Sequence, residues 1–215
     1  MAKTRVKICG ITCLADAYAA IEAGADALGL VFHPSSSRFI SPEQASLLTA
    51  ALPPFVALVG LFVNRPLAEI ARVARLCRLD TIQLHGDETP EFCQSLRQSV
   101  PCRLIKAIRV AQPDDLTNVD RYPVDALLFD AHVQGHFGGT GHCFDWSMLT
   151  AITPTLSHPW ILAGGLTVDN VAEAIQHTQP YAVDVSSGVE SAPGQKDAAK
   201  IRQFTAAISE ASSRH

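Results

Sequence analysis

The sequence predicts an α/β protein built as a single (β/α)8 (TIM) barrel over residues 1–215. Two observations lead there, and a third decides between the candidates. Eight short apolar runs recur along the chain, and segments of helical character alternate with them. That pattern fits either a closed barrel or a doubly wound open sheet. The Gly-x-Gly-x-x-Gly turn expected of a dinucleotide-binding sheet is missing, which favours the barrel. A length of 215 residues suits one such domain, and by area scaling about 70% of the unfolded surface can be buried without a disulfide or metal staple.

The apolar runs are Val6–Ile11, Ala27–Phe32, Ala57–Val63, Thr81–Leu84, Arg103–Ile108, Asp125–Asp130, Trp160–Ala163 and Ala182–Ser186. They alternate little and are rich in Val, Ile, Leu and Phe, as strands covered on both faces are. Helical character falls on Ala15–Ala23, Pro42–Ala51, Pro66–Cys77, Pro90–Gln98, Val168–His177 and Ala198–Ser209. Ser41-Pro42-Glu43-Gln44 and Thr89-Pro90-Glu91 each offer a capping hydroxyl followed by proline at the first helical position. Thr167 and Asp145 are candidate caps for two more helices. No linker or change of composition divides the chain, and residues 210–215 are expected to fray.

Net charge is −4, and the 17 basic residues are scattered rather than clustered, so nucleic acid is not an expected partner. No apolar run approaches the roughly 18 residues of a membrane span. A cytoplasmic protein without membrane contact is the expectation. The six cysteines (Cys9, Cys13, Cys77, Cys93, Cys102 and Cys143) form no Cys-x2-Cys pair, which argues against zinc ribbons and thioredoxin-type motifs. His132, His136, His142 and Cys143 lie in a Gly-rich loop without ligand spacing, so solvated side chains rather than a metal site are expected there.

Barrels of this kind build their sites at the C-terminal ends of the strands. Polar residues that close apolar runs are therefore the candidates: Lys7, Cys9, Asn64, Gln83, His85, Asp130, Gly164, Gly165, Asp184, Ser186, Ser187 and Gly188. Strand side chains alternate in direction, so Lys7 and Cys9 share a face, as do Gln83 and His85, and Asp184 and Ser186. A free thiol is commonly just a small buried hydrophobe. Beside an inward ammonium at a strand end, Cys9 becomes a candidate base or nucleophile, with Lys7 favouring its thiolate. Asp130 closes its run in the same way, with a helix cap or ion pair as the alternative role. Gly164-Gly165 and Ser186-Ser187-Gly188 follow the seventh and eighth runs, where barrels often hold phosphate on backbone N–H groups and hydroxyls. Ordinary turn glycine is the alternative. Gly138-Gly139-Thr140-Gly141 lacks the Gly-Lys-Ser/Thr of a Walker loop and is a candidate lid.

Together these motifs resemble the phosphoribosylanthranilate isomerase family, in order from Lys7 to about Phe204. Lys7-Ile8-Cys9-Gly10-Ile11-Thr12 resembles the family's opening strand. Leu28-Gly29-Leu30-Val31-Phe32 with Ser36-Ser37-Arg38 resembles its second strand and carboxylate loop. Gly60-Leu61-Phe62-Val63-Asn64 and Gln83-Leu84-His85-Gly86 resemble the third and fourth. Phe129-Asp130-Ala131, the Gly138–Gly141 stretch and Phe144-Asp145-Trp146 are similar to the sixth strand, its loop and the next helix start. Leu162-Ala163-Gly164-Gly165-Leu166 and the run from Val183 to Glu190 are similar to the last two. Cys13 and Phe129 depart from the pattern without touching a proposed catalytic position.

The resemblance implies an Amadori rearrangement of N-(5′-phosphoribosyl)anthranilate, with no metal or cofactor. Asp130 would be the general acid and Cys9 the general base. Arg38 would meet the anthranilate carboxylate and Asp184 a sugar hydroxyl or the amine, with Lys7 and His85 also at the substrate. Gly164, Gly165, Ser186, Ser187 and Gly188 would hold the phosphate. The implied partner is a small phosphosugar, and a monomer or homodimer is expected. A sister phosphosugar barrel would share the phosphate turns but need not end its first strand in a cysteine, and Cys9 with Asp130 decides against it. A lysine Schiff-base aldolase using Lys7 or Lys106 and a phosphosugar-binding barrel without catalysis are the other readings.

Overall fold

The computed structural model describes residues 3–130 and 146–213. Eight parallel strands close into a barrel in chain order: β1 (Arg5–Cys9), β2 (Ala27–Val31), β3 (Ala57–Phe62), β4 (Thr81–Leu84), β5 (Arg103–Arg109), β6 (Ala126–Asp130), β7 (Trp160–Ala163) and β8 (Ala182–Val185). Every run read from the sequence is a strand, displaced by at most two residues at either end. Around them lie α1 (Leu14–Glu22), α2 (Pro42–Ala50), α3 (Leu67–Leu76), α4 (Pro90–Ser99), α5 (Ser147–Ile152), α6 (Val171–Thr178) and α7 (Ala198–Ser213). A short hairpin, β9 (Glu190–Ala192) with β10 (Gln195–Lys196), stands between β8 and α7.

The caps explain several helix starts. The Ser41 hydroxyl accepts from the Gln44 amide at 3.2 Å while the Gln44 side chain accepts from Ser41 N–H, a full capping box ahead of Pro42. Thr89 accepts from Phe92 N–H at 3.3 Å. Thr167 is not a cap: α6 begins later, at Val171, with Asn170 in the cap position. Asn170 instead braces the turn before it, accepting from Thr167 N–H at 2.8 Å and donating to the Gly165 carbonyl at 3.0 Å. Asp145 lies outside the described residues. After β5, two 3-10 turns, Pro113–Leu116 and Val119–Arg121, stand where the other strands are followed by an α-helix. Asn118 adopts a left-handed φ of 59°, which interrupts helical continuation between the two turns.

Period-two alternation sends one set of side chains outward. Ile8, Leu28, Leu30, Phe62, Ile82, Leu104, Phe129 and Leu162 join the layer between barrel and helices. Burying a side chain of this size contributes about 1.5–3 kcal/mol. Phe129 is fully buried with its ring centroid 5.9 Å from that of Trp160, and its truncation to alanine should cost about 3–5 kcal/mol. A second, smaller apolar cluster fills the barrel interior with Ile105, Ala107, Ala126, Leu128, Ile161, Ala163 and Ala182. The inward positions of β1, β4 and β8 carry Lys7, Gln83 and Asp184 instead, all buried. The barrel interior is therefore polar at β1, β4 and β8, and Asp184 of that set lines the site.

Candidate active site

A cleft of about 330 Å³ opens where the strands end. Cys9, His33, Arg38, His85, Asp130 and Asp184 supply its charged and titratable lining, and Val31, Leu61, Val63 and Ala163 part of its apolar wall. Gly164, Gly165, Ser186 and Ser187 complete the rim after β7 and β8. Most of the residues collected from the sequence are thus brought together. Four are not: Lys7, Asn64, Gln83 and Gly188 do not line the cleft. Asn64 joins two turns, donating to Asp87 and accepting from its amide. Gly188 sits where a Cβ would overlap the Leu166 carbonyl oxygen, so its lack of a side chain lets the β7 and β8 turns approach each other.

Lys7 and Asp184 are register partners in the β1–β8 pair, and Lys7 Nζ lies 2.9 Å from Asp184 Oδ1. Burial favours a neutral lysine, but the carboxylate outweighs it and Lys7 titrates above its ordinary range. At Cys9 the balance runs the other way. Burial pushes the thiol up, and Lys7, pulling down, does not overcome burial reinforced by the negative charge of Asp184. The expectation of a resting thiolate is therefore corrected: Lys7 is committed to Asp184, and Cys9 rests as a thiol. Gly29, the register partner of Cys9 on β2, leaves room for it. A Cβ at that position would lie 2.8 Å from Cys9 Sγ and 3.0 Å from Lys7 Cε. Burial also raises the Cys77 and Cys93 thiols, each to about 11, as expected of inert core thiols.

Asp130 is held by a chain of side chains from β4. His85 Nε2 is 3.1 Å from Asp130 Oδ2, and Gln83 Nε2 is 3.0 Å from His85 Nδ1. Arg109, which pairs with Asp130 across β5 and β6, donates to the His85 carbonyl at 3.2 Å.

Arg38 reaches the cleft from the loop after β2, partly exposed. Its Nε and Nη2 donate to the two Glu190 oxygens at 2.8 and 2.7 Å. Burial would favour a neutral Glu190, but hydrogen bonds from Arg38 and Lys196 keep its carboxyl below the usual range. Lys196 lies 2.8 Å from Glu190 and also donates to the Ser186 carbonyl at 3.2 Å. One edge of the guanidinium is thus occupied, and the Nη1–Nη2 edge remains for a carboxylate. Sequence reasoning did not assign Glu190 or Lys196 a role. The acidic residue directly after Ser186-Ser187-Gly188-Val189 was the available signal for the first.

At the far end, Gly164 and Gly165 hold φ of 88° and 65°, conformations that point successive amides in ways a side chain would resist. Among the described residues, the Gly165 and Ser187 amides meet no backbone acceptor. The Ser186 hydroxyl is turned away, donating to the Cys9 carbonyl at 3.0 Å. Lys106, the other aldolase candidate, is buried against Glu88 at 2.9 Å and does not line this cleft. Neither candidate lysine is free to form a Schiff base there. The candidate lid Gly138–Gly141 and the loop residues His132, His136, His142 and Cys143 lie outside the described residues.

The model of the family described as N-(5′-phosphoribosyl)anthranilate isomerase matches residues 6–207. The chain belongs to that family. A family member from Magnetococcus marinus is 55% identical over 204 residues, covering 95% of this chain and 94% of its own. Another, from Geobacter metallireducens, is 56% identical, covering 93% of this chain and 96% of its own. The crystal structure of the Thermotoga maritima phosphoribosylanthranilate isomerase superposes with a TM-score of 0.89 at 42% identity, covering 96% of this chain and 99% of that one. A solved isomerase in complex with reduced 1-(o-carboxyphenylamino)-1-deoxyribulose 5-phosphate follows at a TM-score of 0.87 and 40% identity, with the same coverage. The family match decides against a sister phosphosugar barrel.

Proposed function

We propose that this chain, as one barrel domain over residues 1–215, converts N-(5′-phosphoribosyl)anthranilate to 1-(2-carboxyphenylamino)-1-deoxyribulose 5-phosphate in tryptophan biosynthesis. Asp130 is its general acid and Cys9 its general base. The observation that carries this reading is that a carboxyl and a thiol line one cleft, between a cationic fork and a pair of turns whose Gly165 and Ser187 amides meet no backbone acceptor among the described residues.

Asp130 gives a proton to the ribose ring oxygen, the C1′–O bond breaks, and the nitrogen lone pair forms the C1′=N bond. Cys9, its resting thiol proton first lost to solvent, then takes the C2′ proton as a thiolate, and the electrons of that C–H bond become the C1′=C2′ bond while the iminium is neutralised. The enolamine gains a proton at C1′ and loses its hydroxyl proton, leaving the C2′ ketone. The protonated imine is itself the electron sink, so the sequence of steps calls on no cofactor. Acid and base each supply typically ~10²–10⁴-fold. Arg38 holds the anthranilate carboxylate on its open edge, Asp184 a sugar hydroxyl or the amine, and the Gly164-Gly165 and Ser186-Ser187-Gly188 turns the phosphate. His85 supports Asp130, and Lys7 acts from beneath through Asp184.

The enzyme works in the cytoplasm as a monomer or homodimer; a relative at 38% identity is described as a monomer generated from the dimeric Thermotoga maritima isomerase. Loss of substrate fluorescence on adding the purified protein tests the activity. Saturable binding without turnover would instead make it a phosphosugar-binding barrel.

A further inference from the structure

Gln83 is wholly buried inside β4, yet only half of its carboxamide is used. Its Nε2 reaches His85 Nδ1 at 3.0 Å, while its Oε1 has no hydrogen-bond partner among the described residues. A buried acceptor left unpaired destabilises a fold, and an apolar side chain here would avoid that loss. The one bond it makes constrains chemistry instead. A carboxamide N–H can only donate, so the His85 Nδ1 facing it must carry a lone pair. The ring proton then sits on Nε2, which faces Asp130 Oδ2 at 3.1 Å. A ring protonated on both nitrogens would set donor against donor at Gln83.

We propose that Gln83 is a positioning residue for the acid: it holds His85 as the neutral Nε2–H tautomer and thereby places the Asp130 proton on Oδ1. The proposal rests on Asp130 being the acid. A carboxylic acid that accepts a hydrogen bond at Oδ2 carries its own proton on the other oxygen. When that proton passes to the sugar ring oxygen, the same N–H remains to stabilise the carboxylate, and the imidazole neither gains nor loses a proton. The opposite tautomer would present a lone pair to Asp130 and bind the acid's proton itself, withholding it from substrate. An imidazolium would hold Asp130 ionised, with no proton to give.

The ¹⁵N spectrum of histidine-labelled protein, with the His85 signals identified by their loss in His85→Asn, reads which nitrogen is protonated. At neutral pH the wild-type ring should show a protonated Nε2 and a bare Nδ1. In Gln83→Glu the new acceptor should draw a proton to Nδ1 and lower kcat by about ten- to a hundredfold, with KM changed by less than about threefold. A wild-type ring protonated at Nδ1, or at both nitrogens, overturns the proposal without any variant having to fold. So does a folded Gln83→Glu whose Nδ1 gains a proton while kcat stays within about twofold. The two readings fail differently. An Asp130→Asn variant with full activity removes Asp130 as the acid, and this proposal with it, whatever the tautomer. A wrong tautomer together with an inactive Asp130→Asn removes only the role of Gln83.

Discussion

Replacing Lys7 by methionine removes one charge from the pair that joins β1 to β8. Lys7 Nζ and Asp184 Oδ1 are 2.9 Å apart, with 5% and 9% of their side chains exposed. Methionine keeps an apolar stem of similar length, so the loss is mainly electrostatic. Breaking a buried pair from one side costs about 3–5 kcal/mol, a large share of the roughly 5–15 kcal/mol that holds a domain folded. The second consequence falls on Cys9, where burial is the largest influence raising the thiol and Lys7 the largest lowering it. A neighbouring opposite charge favours the charged form, so the alkylation midpoint of Cys9 should rise when Lys7 is lost. Because the folded chain holds this proton more tightly than the unfolded chain, its contribution to stability is full below the unfolded thiol's range and is lost as pH climbs through the raised folded value. Alkylation rate against pH, read by mass on the fragment carrying Cys9, checks the first effect. A Cys13→Ser background keeps that exposed thiol from interfering. Urea unfolding checks the stability loss. A midpoint that stays put or falls, in a variant shown to be folded, would refute the coupling between Lys7 and Cys9.

Further outcomes follow from the same geometry. Since burial holds Cys9 as a thiol and the base form is the thiolate, kcat/KM should climb with pH above about 7; a flat profile there argues against Cys9 as the base. Arg38→Lys should raise KM by about tenfold or more, because an ammonium cannot span the Glu190 carboxylate and also offer a second flat edge; unchanged KM and kcat/KM reject that role. Gly29→Ala should cost about 1–3 kcal/mol by crowding Cys9 and Lys7, and a melting temperature and kcat equal to wild type would show that the contact relaxes freely. With deuterium at C2′, single-turnover rates of Cys9→Ser should show a larger primary isotope effect and those of Asp130→Asn a diminished one. Equal effects in both variants mean that the two roles are misassigned.

The barrel was legible in the chain because covered strands must be apolar on both faces and helices must alternate with them, and both demands leave periodic marks. Candidate positions were legible too, since a polar residue ending an apolar run, such as Cys9, His85 or Asp130, stands at the end where such barrels place their chemistry. The order of capping hydroxyl and proline at Ser41 and Thr89 marked two helix starts, whereas Thr167 misled because Asn170 offers a competing side chain one turn later. What the chain alone did not determine is which charge meets which. Alternation placed Lys7 beside Cys9 on one strand, but closure of the barrel set Lys7 opposite Asp184, 177 positions away in the chain, and that contact together with burial reversed the expected state of the thiol. The clamp of Glu190 on Arg38, and the line from Gln83 through His85 to Asp130, likewise join segments far apart in the sequence. Hydrogen bonds and desolvation act over a few ångströms of space, and only the closed barrel brings those ångströms together.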